Sequence, residues 1–224
     1  MLTEVQCELW DAYQRVEARA PRAEKLLALG AFLDCLAESP EHEWRSWAWW
    51  IAERVVDKGE ALRIRMPLFE RAIFPALLTG YRTDQLGCAR WLAGLCQLLY
   101  RSRGCREQLP EEERSEWGLL RAAIRCDSED RWARRRLLEN LVHELRFSLH
   151  ELPAGVLYGM DGASPEQCRE LELILHEFRT LAAKEGQEPQ YADLIDACRF
   201  HFRAYRAYLL NPMDCRNYAQ YLAR

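Results

Sequence analysis

The sequence has no CxxC pair of cysteines, although cysteine itself is frequent. Its nine cysteines are scattered from Cys7 to Cys215, and an odd, scattered set does not predict a disulfide framework. Zinc sites need clustered ligands, and the sequence shows no local cluster of this kind. We therefore expect reduced cysteines, mostly buried as small apolar side chains, and no metal or other cofactor.

The sequence also lacks a long apolar run and an excess of positive charge. Its least polar stretch, residues 91–100, is about half as long as the roughly 18 to 20 apolar residues that cross a bilayer. Residues 1–13 contain acids where a secretion signal has a basic region and an apolar run. The formal net charge of −4 gives no positive field for binding a phosphate backbone. We expect a soluble, cytoplasmic protein with no nucleic-acid partner and no membrane partner.

Strand signals are almost absent, whereas helix signals recur along the whole chain. Thr3 with Gln6 can form a capping box, and Ser164 with Gln167 can form a second one in which Pro165 occupies the first turn. Other helix starts are predicted at Ser39-Pro40 and Asn211-Pro212, and helix ends at Gly59, Gly80, Gly104 and Gly186. Pro75 lies inside a helical pattern and is expected to kink or split it.

The signals together predict an all-α fold of about ten helices arranged in antiparallel hairpins. At 224 residues, the chain can bury one substantial core, so we predict a single helical domain over residues 1–224. The predicted helices cover residues 4–19, 22–38, 40–58, 67–79, 84–103, 110–126, 128–151, 165–185, 190–210 and 212–223.

Four tryptophans recur at a nearly constant spacing. Trp10, Trp50, Trp91 and Trp132 are separated by 40, 41 and 41 residues, which is the spacing of HEAT and armadillo units. Residues 73–99 and 119–141 both contain an apolar helix, a short turn with an aspartate and a second helix that opens with an arginine. The aspartates are Asp84 and Asp127, and the arginines are Arg90 and Arg131.

This middle third of the chain resembles HEAT repeats. In that family, an aspartate after the first helix and a basic residue in the second commonly link successive turns, and Asp84 with Arg90 fits the pattern. The resemblance implies a curved stack of helices. It does not extend before Trp50, where no matching aspartate stands, or beyond residue 150, where the spacing ends. An irregular helical bundle is the alternative, and both architectures are all-α.

A pair of histidines lies on one predicted helix but does not form a metal site. His143 and His150 are seven residues apart, so they share a helix face but stand about 10.5 Å apart along the axis. One zinc ion needs ligands that are much closer, normally at i and i+4, and position 147 is Phe147. A single histidine acting as general base remains the catalytic alternative.

The loop after this helix is rich in glycine. Pro153 ends the helix, and Gly155, Gly159 and Gly162 allow turns that other residues do not adopt. The loop lacks the GxxxxGK[ST] order of a phosphate-binding loop. Long loops inside compact helical proteins are often functional, and Tyr158 and Asp161 could project from this one. It is therefore a candidate contact surface, with a plain connector as the alternative.

Two further segments have unusual composition. Residues 44–50, WRSWAWW, place Trp44 and Trp47 on one helix face and Trp49 on another. Such a helix is typical of a core position, and an exposed binding anchor is the alternative. Residues 111–116, EEERSE, open a helix and offer an acidic surface to a basic partner; a solvated face with internal ion pairs is the alternative. The candidate protein-binding residues are Glu111, Glu112, Glu113, Glu116, Tyr158 and Asp161.

The sequence favours binding over catalysis. It supplies tryptophan, tyrosine and arginine anchors but no recognisable catalytic set, so we predict a protein-binding module whose partner is another protein and whose oligomeric state is left open. In size, acidity and helical character, the chain resembles the small immunity proteins that bacteria make against polymorphic toxins. That resemblance implies that the partner is a toxin domain, covered by residues 111–116 or by the loop 153–162. The alternative is an enzyme with a site between helices near His143, His150 and Asp161.

Overall fold

The computed structural model describes residues 1–152, 164–212 and 215–224. The structure is 79% helical, and within these three ranges it has no β-strand. The prediction of an all-α fold is therefore confirmed. The chain divides into two compact units, Met1–Ala133 and Arg134–Arg224, whereas the single-domain expectation stays a prediction.

The first unit is built from short and medium helices. Its core contains large aromatic and aliphatic side chains such as Phe32, Phe69 and Leu77, all fully buried. Helix α1 packs against α2, α3 packs against α5 and α6, and α6 packs against α9. The helices are α1 (Glu4–Arg19), α2 (Arg22–Ala37), α3 (Glu41–Val56), α4 (Met66–Leu68), α5 (Phe74–Arg82), α6 (Cys88–Gly94), α7 (Cys96–Arg101), α8 (Arg103–Arg106), α9 (Glu116–Cys126) and the start of α10 (Arg131–Glu151).

The start of α1 follows the sequence signal, whereas the start of α3 does not. The hydroxyl of Thr3 accepts from the N–H of Gln6, and the side chain of Gln6 accepts from the N–H of Thr3, which completes the predicted capping box. At α3 the N-cap is Pro40, with no side-chain hydrogen bond. The predicted cap, Ser39, instead accepts a hydrogen bond from the amide of Gln6 at 3.1 Å. The Ser39 prediction was wrong because a distant side chain engages its hydroxyl.

The predicted disturbance at Pro75 takes the form of a π-helical turn. Pro75 lies in the first turn of α5, and residues Phe69–Ile73 immediately before it form a π-helix that joins α4 to α5. Proline lacks the N–H that would continue an α-helical ladder. Within the π-helix the N–H of Phe74 donates to the carbonyl of Phe69, which is the i to i+5 pattern. The chain thus stays helical across the proline from Met66 to Arg82.

Two of the four predicted glycine stops have the left-handed backbone that such stops require. Gly59 and Gly186 have φ angles of 63° and 67°, whereas Gly104 lies inside α8 and Gly80 lies inside α5. At Gly80 a Cβ atom would lie 2.3 Å from the sulfur of Cys88 and 3.0 Å from the ring of Trp49. Gly80 is therefore required for close packing, and the prediction that it ends a helix was wrong.

Arg90 on α6 links two other segments of the first unit. Its guanidinium contacts Asp57, the residue that ends α3, at 2.7 Å and Asp130 at 3.0 Å. The indole N–H of Trp91 also donates to Asp57, at 2.9 Å. The HEAT resemblance matches Arg90 with Asp84, which has a left-handed backbone with φ of 52°. The backbone oxygen of Asp84 accepts from the thiol of Cys126 at 3.3 Å. A HEAT-like stack stays a prediction.

In its described residues, the second unit contains the rest of α10 and three later helices. They are α11 (Pro165–Lys184), α12 (Ala192–Leu210) and α13 (Tyr218–Leu222), with a 3₁₀ turn at Glu188–Tyr191. Helices α11 and α12 pack against each other. Ser164 and Gln167 form the predicted capping box. The prediction of a helix start at Asn211 was wrong: α13 begins six residues later than expected, and the side chain of Asn217 caps it by accepting from Gln220.

Most of the cysteines are buried small side chains, and none is part of a disulfide. All nine are free thiols, and Cys88, Cys96, Cys105, Cys168, Cys198 and Cys215 are buried. Within the ranges that the structure describes, no helix is both long and apolar enough to cross a membrane.

Candidate protein-binding groove

The acidic segment proposed from the sequence is only partly exposed. Residues Glu111–Glu113 form a 3₁₀ turn, in which Glu111 and Glu112 are exposed while Glu113 is buried. The carboxylate of Glu113 pairs with Arg125, so this acid is turned away from solvent. Glu116 is the first residue of α9, where a negative charge suits the positive end of the helix dipole. The surface open to a partner is thus smaller than the sequence suggested.

The other site residues predicted from the sequence do not form a common site among the described residues. Tyr158, Asp161 and the whole loop 153–162 lie outside the described residues. His143 and His150 are both exposed on α10, and His150 contacts Glu151 at 2.9 Å. Among the described residues, no group of three His, Cys, Asp or Glu side chains could hold a metal ion. The enzyme hypothesis stays a prediction that no observed geometry favours.

A different site emerges from the aromatic residues of α1, α2 and α3. The rings of Trp10, Phe32 and Trp47 lie 5.0 to 5.2 Å apart, centre to centre, with tilted or edge-on geometry. Pairs of this geometry contribute about 0.5 to 1.5 kcal/mol each beyond the area they bury. The three rings fix α1, α2 and α3 against one another and so give the surface between α1 and α3 a rigid base.

An apolar groove of about 740 Å³ lies over this cluster. We call it the tryptophan groove and define it by Leu2, Trp10, Trp47, Trp50, Arg54 and Leu62, with Cys7, Asp11 and Gln14 of α1, Met1 and Ser46 completing its lining. Trp10 and Trp47 are buried, whereas Trp50 is 42% exposed. An exposed tryptophan beside buried ones presents a large apolar surface that a partner could cover.

The exposed edge of Trp50 is held in place. The guanidinium of Arg54, one helical turn later on α3, stacks over the Trp50 ring at 4.4 Å from its centre. Arg54 is in turn paired with Glu60. Because the ring is braced on one side, covering its other side costs little side-chain freedom. A preorganised tryptophan of this kind is typical of binding hot spots.

Acidic residues border the groove along α1. Glu4, Glu8 and Asp11 are exposed at spacings of four and three residues, which places them along one side of the helix. Asp11 lines the groove, and Glu8 and Asp11 also line an adjoining hollow. The basic side chains that line the groove and the hollow are Arg54, already paired with Glu60, and Arg15, which donates to the backbone oxygen of Asp11 at 3.3 Å. This border is therefore negative.

One polar atom of the groove's lining is unsatisfied. The indole N–H groups of Trp44 and Trp49 donate to backbone oxygens of Ser39 and Ala76. The indole N–H of Trp47 is buried and has no hydrogen-bond partner within the described chain. A buried donor that no acceptor meets costs about 1 to 3 kcal/mol.

The sequence drew attention to the α3 side of this groove but not to its α1 side. Residues 44–50 stood out by composition: Trp44 and Trp47 are buried, as a core position predicts, and Trp50 is exposed, while its role as a binding anchor stays a prediction. The contribution of α1 was missed, because the contact of Trp10 with Trp47 joins residues far apart in sequence. The sequence signals on α1 were the capping box at Thr3 and the place of Trp10 in the tryptophan spacing, and neither shows what α1 packs against.

Comparison with known proteins gives no relative. No family model, no curated protein and no solved structure matches this chain.

Proposed function

We propose that this protein is a non-catalytic protein-binding module and that the tryptophan groove is its contact surface. The occupant is a segment of a partner protein that carries apolar side chains flanked by lysine or arginine. The observation that carries the proposal is Trp50, which is 42% exposed at the edge of an aromatic groove bordered by Glu8 and Asp11.

The energetics favour such an occupant. Apolar side chains entering the groove would cover the exposed part of Trp50, and burying apolar surface contributes about 25 cal/mol per Å². Basic residues on the same segment would face the carboxylates of Glu8 and Asp11. At this exposed border their attraction mainly accelerates and orients association, and it is screened by salt. Affinity therefore comes chiefly from the aromatic groove and selectivity from the acids.

A more specific form of the proposal is that the partner is a bacterial toxin domain that this protein neutralises. It is supported by the acidic net charge of −4 and by the exposure of Glu111 and Glu112, which could meet a basic surface of the toxin. In that form the acidic turn and the tryptophan groove contact the same partner.

The test uses a library of peptides and three variants of the full chain. We expect the wild-type protein to select peptides that combine aliphatic or aromatic residues with lysine or arginine. Trp50→Ala is expected to weaken binding of a selected peptide by about tenfold or more, as for an interface hot spot. Phe200→Ala is the matched control, since Phe200 is 58% exposed on α12, in the other unit. Glu8→Gln with Asp11→Asn is expected to weaken binding at low salt only.

Three outcomes contradict the proposal. Selected peptides could lack basic residues, Trp50→Ala could bind as tightly as the wild type, or Phe200→Ala could be weakened equally. Tryptophan at position 50 is partly exposed, so the variant should fold; circular dichroism and the urea midpoint check this before binding is measured by calorimetry.

A further inference from the structure

A second cavity of the first unit has the opposite character to the tryptophan groove. It measures about 380 Å³, and we call it the arginine pocket because four arginines line it. Arg22 is the first residue of α2, Arg63 and Arg65 lie in the segment before α4, and Arg101 is the last residue of α7. Three separate parts of the chain thus bring their positive charges to one place.

A single carboxylate, that of Glu17, compensates these charges. The guanidinium of Arg65 makes two hydrogen bonds to Glu17, at 2.7 and 2.8 Å, and Arg63 lies 3.9 Å from the same carboxylate. The Arg65 guanidinium holds the pKa of Glu17 below its usual value, so the acid stays ionised at neutral pH. In the part of the chain that the structure describes, neither Arg22 nor Arg101 pairs with an acid.

The balance of charge in the pocket is therefore positive. Four arginines and no acidic residue line the pocket, and Glu17 pairs with Arg65 from outside the lining, in a chain whose net charge is −4. Arg22 also stands at the N-terminus of α2, a helix of 16 residues whose N-cap, Pro21, supplies no side-chain hydrogen bond. The first N–H groups of a helix and its dipole add partial positive charge there. An anion in the pocket would relieve the mutual repulsion of the arginines.

The other side chains of the lining are apolar, although the surface that they expose in the pocket is small. Leu26, Ile64, Met66, Pro67 and Leu98 complete the wall. A volume of about 380 Å³ lies in the range of roughly 300 to 1,000 Å³ that is usual for small-molecule sites, and a phosphate group alone would leave part of it empty. The pocket surface is mostly polar: it offers guanidinium groups to an anion and a small apolar wall to the organic part of the same molecule.

We propose that the arginine pocket binds a small organic molecule that carries a phosphate group. The planar guanidinium presents paired N–H donors whose spacing matches the oxygens of a phosphate, which is why arginine is the preferred side chain for this group. Arg22 and Arg101 provide the free guanidinium groups, Arg65 is fixed by Glu17, and the apolar residues contact the organic part.

The proposal is tested by calorimetric titration of the full chain with phenyl phosphate and with inorganic phosphate at constant ionic strength. We expect phenyl phosphate to bind more tightly, because its ring contacts the apolar wall. Arg22→Ala with Arg101→Ala should weaken binding of both by about tenfold or more, since two charge-assisted contacts are lost. Arg203→Ala with Arg216→Ala is the control: it removes the same charge from two exposed arginines of the other unit.

Each result decides the proposal. Binding that depends on Arg22 and Arg101 but not on Arg203 and Arg216 supports it. It is overturned if neither compound binds, if the pocket variant binds as the wild type does, or if the control variant loses as much affinity. Equal affinity for phenyl phosphate and inorganic phosphate overturns the proposal that the ligand is an organic molecule, because the pocket then binds only the anion. If the double variant fails to fold, Arg101→Ala alone is compared with the wild type in the same titration, because Arg101 is exposed.

Discussion

Asp130 accepts a hydrogen bond from Arg90, which lies 40 residues earlier, at a distance of 3.0 Å. The side chain of Asp130 is only 4% exposed, and it also accepts from the N–H of Ala133 in the first turn of α10 at 2.9 Å. The buried carboxylate thus holds the start of α10 while Arg90 neutralises it. Because Arg90 also contacts Asp57 at the end of α3, one side chain joins α3, α6 and the start of α10.

We expect Arg90→Ala to lower the free energy of unfolding by about 2 kcal/mol, because it leaves the charge of Asp130 buried without its partner. The matched control is Arg103→Ala, which breaks a surface pair with Glu107 in which the arginine is 84% exposed. Surface pairs of this kind contribute about 0.5 kcal/mol or less. Urea unfolding followed by circular dichroism compares the two. Equal losses for both variants would mean that Asp130 does not depend on Arg90.

Local chemistry explains which parts of the fold the sequence could predict. The capping boxes at Thr3 and Ser164 involve residues three positions apart, and both occur as expected. The hydroxyl of Ser39 failed as a cap because Gln6, 33 residues earlier, engages it. Gly80 failed as a stop because Cys88 and Trp49 pack against it. The two capping boxes depend only on the neighbouring turn and formed as expected, whereas Ser39 and Gly80 contact side chains from elsewhere in the chain.

The candidate sites were harder to predict for the same reason. Trp50 was visible in an unusual tryptophan-rich run, but which tryptophan is exposed depends on where α1 and α2 pack. The arginine pocket left no sequence signal, because Arg22, Arg63 and Arg101 are separated by about 40 residues each. A hydrophobic or charged run is visible in a sequence. A site formed by single residues from distant segments is visible only once the fold is known.

Substitution by alanine is expected to change the stability of the protein in opposite directions at two glycines. At Gly118 a Cβ atom would lie 1.9 Å from the backbone oxygen of Glu112, so Gly118→Ala must displace the backbone. We expect it to destabilise the protein by about 2 kcal/mol or more, as overpacking does. At Gly30, inside α2, nothing lies within 4 Å of the added atom. Gly30→Ala should stabilise by about 0.5 to 1 kcal/mol, the helix-propensity difference.

The measurement is the urea midpoint and slope of each variant beside the wild type. The packing at position 30 is contradicted if Gly30→Ala destabilises the protein. The packing at position 118 is contradicted if Gly118→Ala changes the free energy of unfolding by no more than about 0.5 kcal/mol, the range of an ordinary surface substitution.

The thiols are expected to differ widely in reactivity. Cys7 is exposed at the tryptophan groove, whereas Cys88 and Cys198 are buried and burial raises the pKa of each to about 12. The thiolate is the reactive form, so at pH 8 a disulfide reagent should modify Cys7 first in the native protein. Mass spectrometry after short exposure identifies the site, and Cys7→Ser should remove the fast phase. Early labelling of Cys88 or Cys198 in folded protein would contradict their burial.

Stability is expected to fall in alkaline solution. An unfolded cysteine loses its proton near pH 8.5, whereas the thiols of Cys88 and Cys198 keep theirs in the folded state until about pH 12. Between these values the unfolded state binds fewer protons than the folded state, so raising the pH favours unfolding. The stability that the protonated thiols contribute is complete below about pH 8.5 and is lost progressively as the pH rises towards 12. Burial also raises the pKa of Tyr13 and Tyr218 to about 12, which adds to the loss above pH 10.

Cys198→Ala isolates the contribution of one thiol to this alkaline loss. Its free energy of unfolding should fall less between pH 7.5 and pH 10 than that of the wild type, by on the order of 1 to 2 kcal/mol, because the group that titrates only on unfolding is gone. Cys7→Ala is the control, since Cys7 is exposed and the variant removes a thiol without removing a buried one. Urea unfolding at several pH values between 7.5 and 10 gives the three slopes. If the Cys198→Ala slope equals that of the wild type, the thiol already ionises in the folded protein and its burial does not govern alkaline stability.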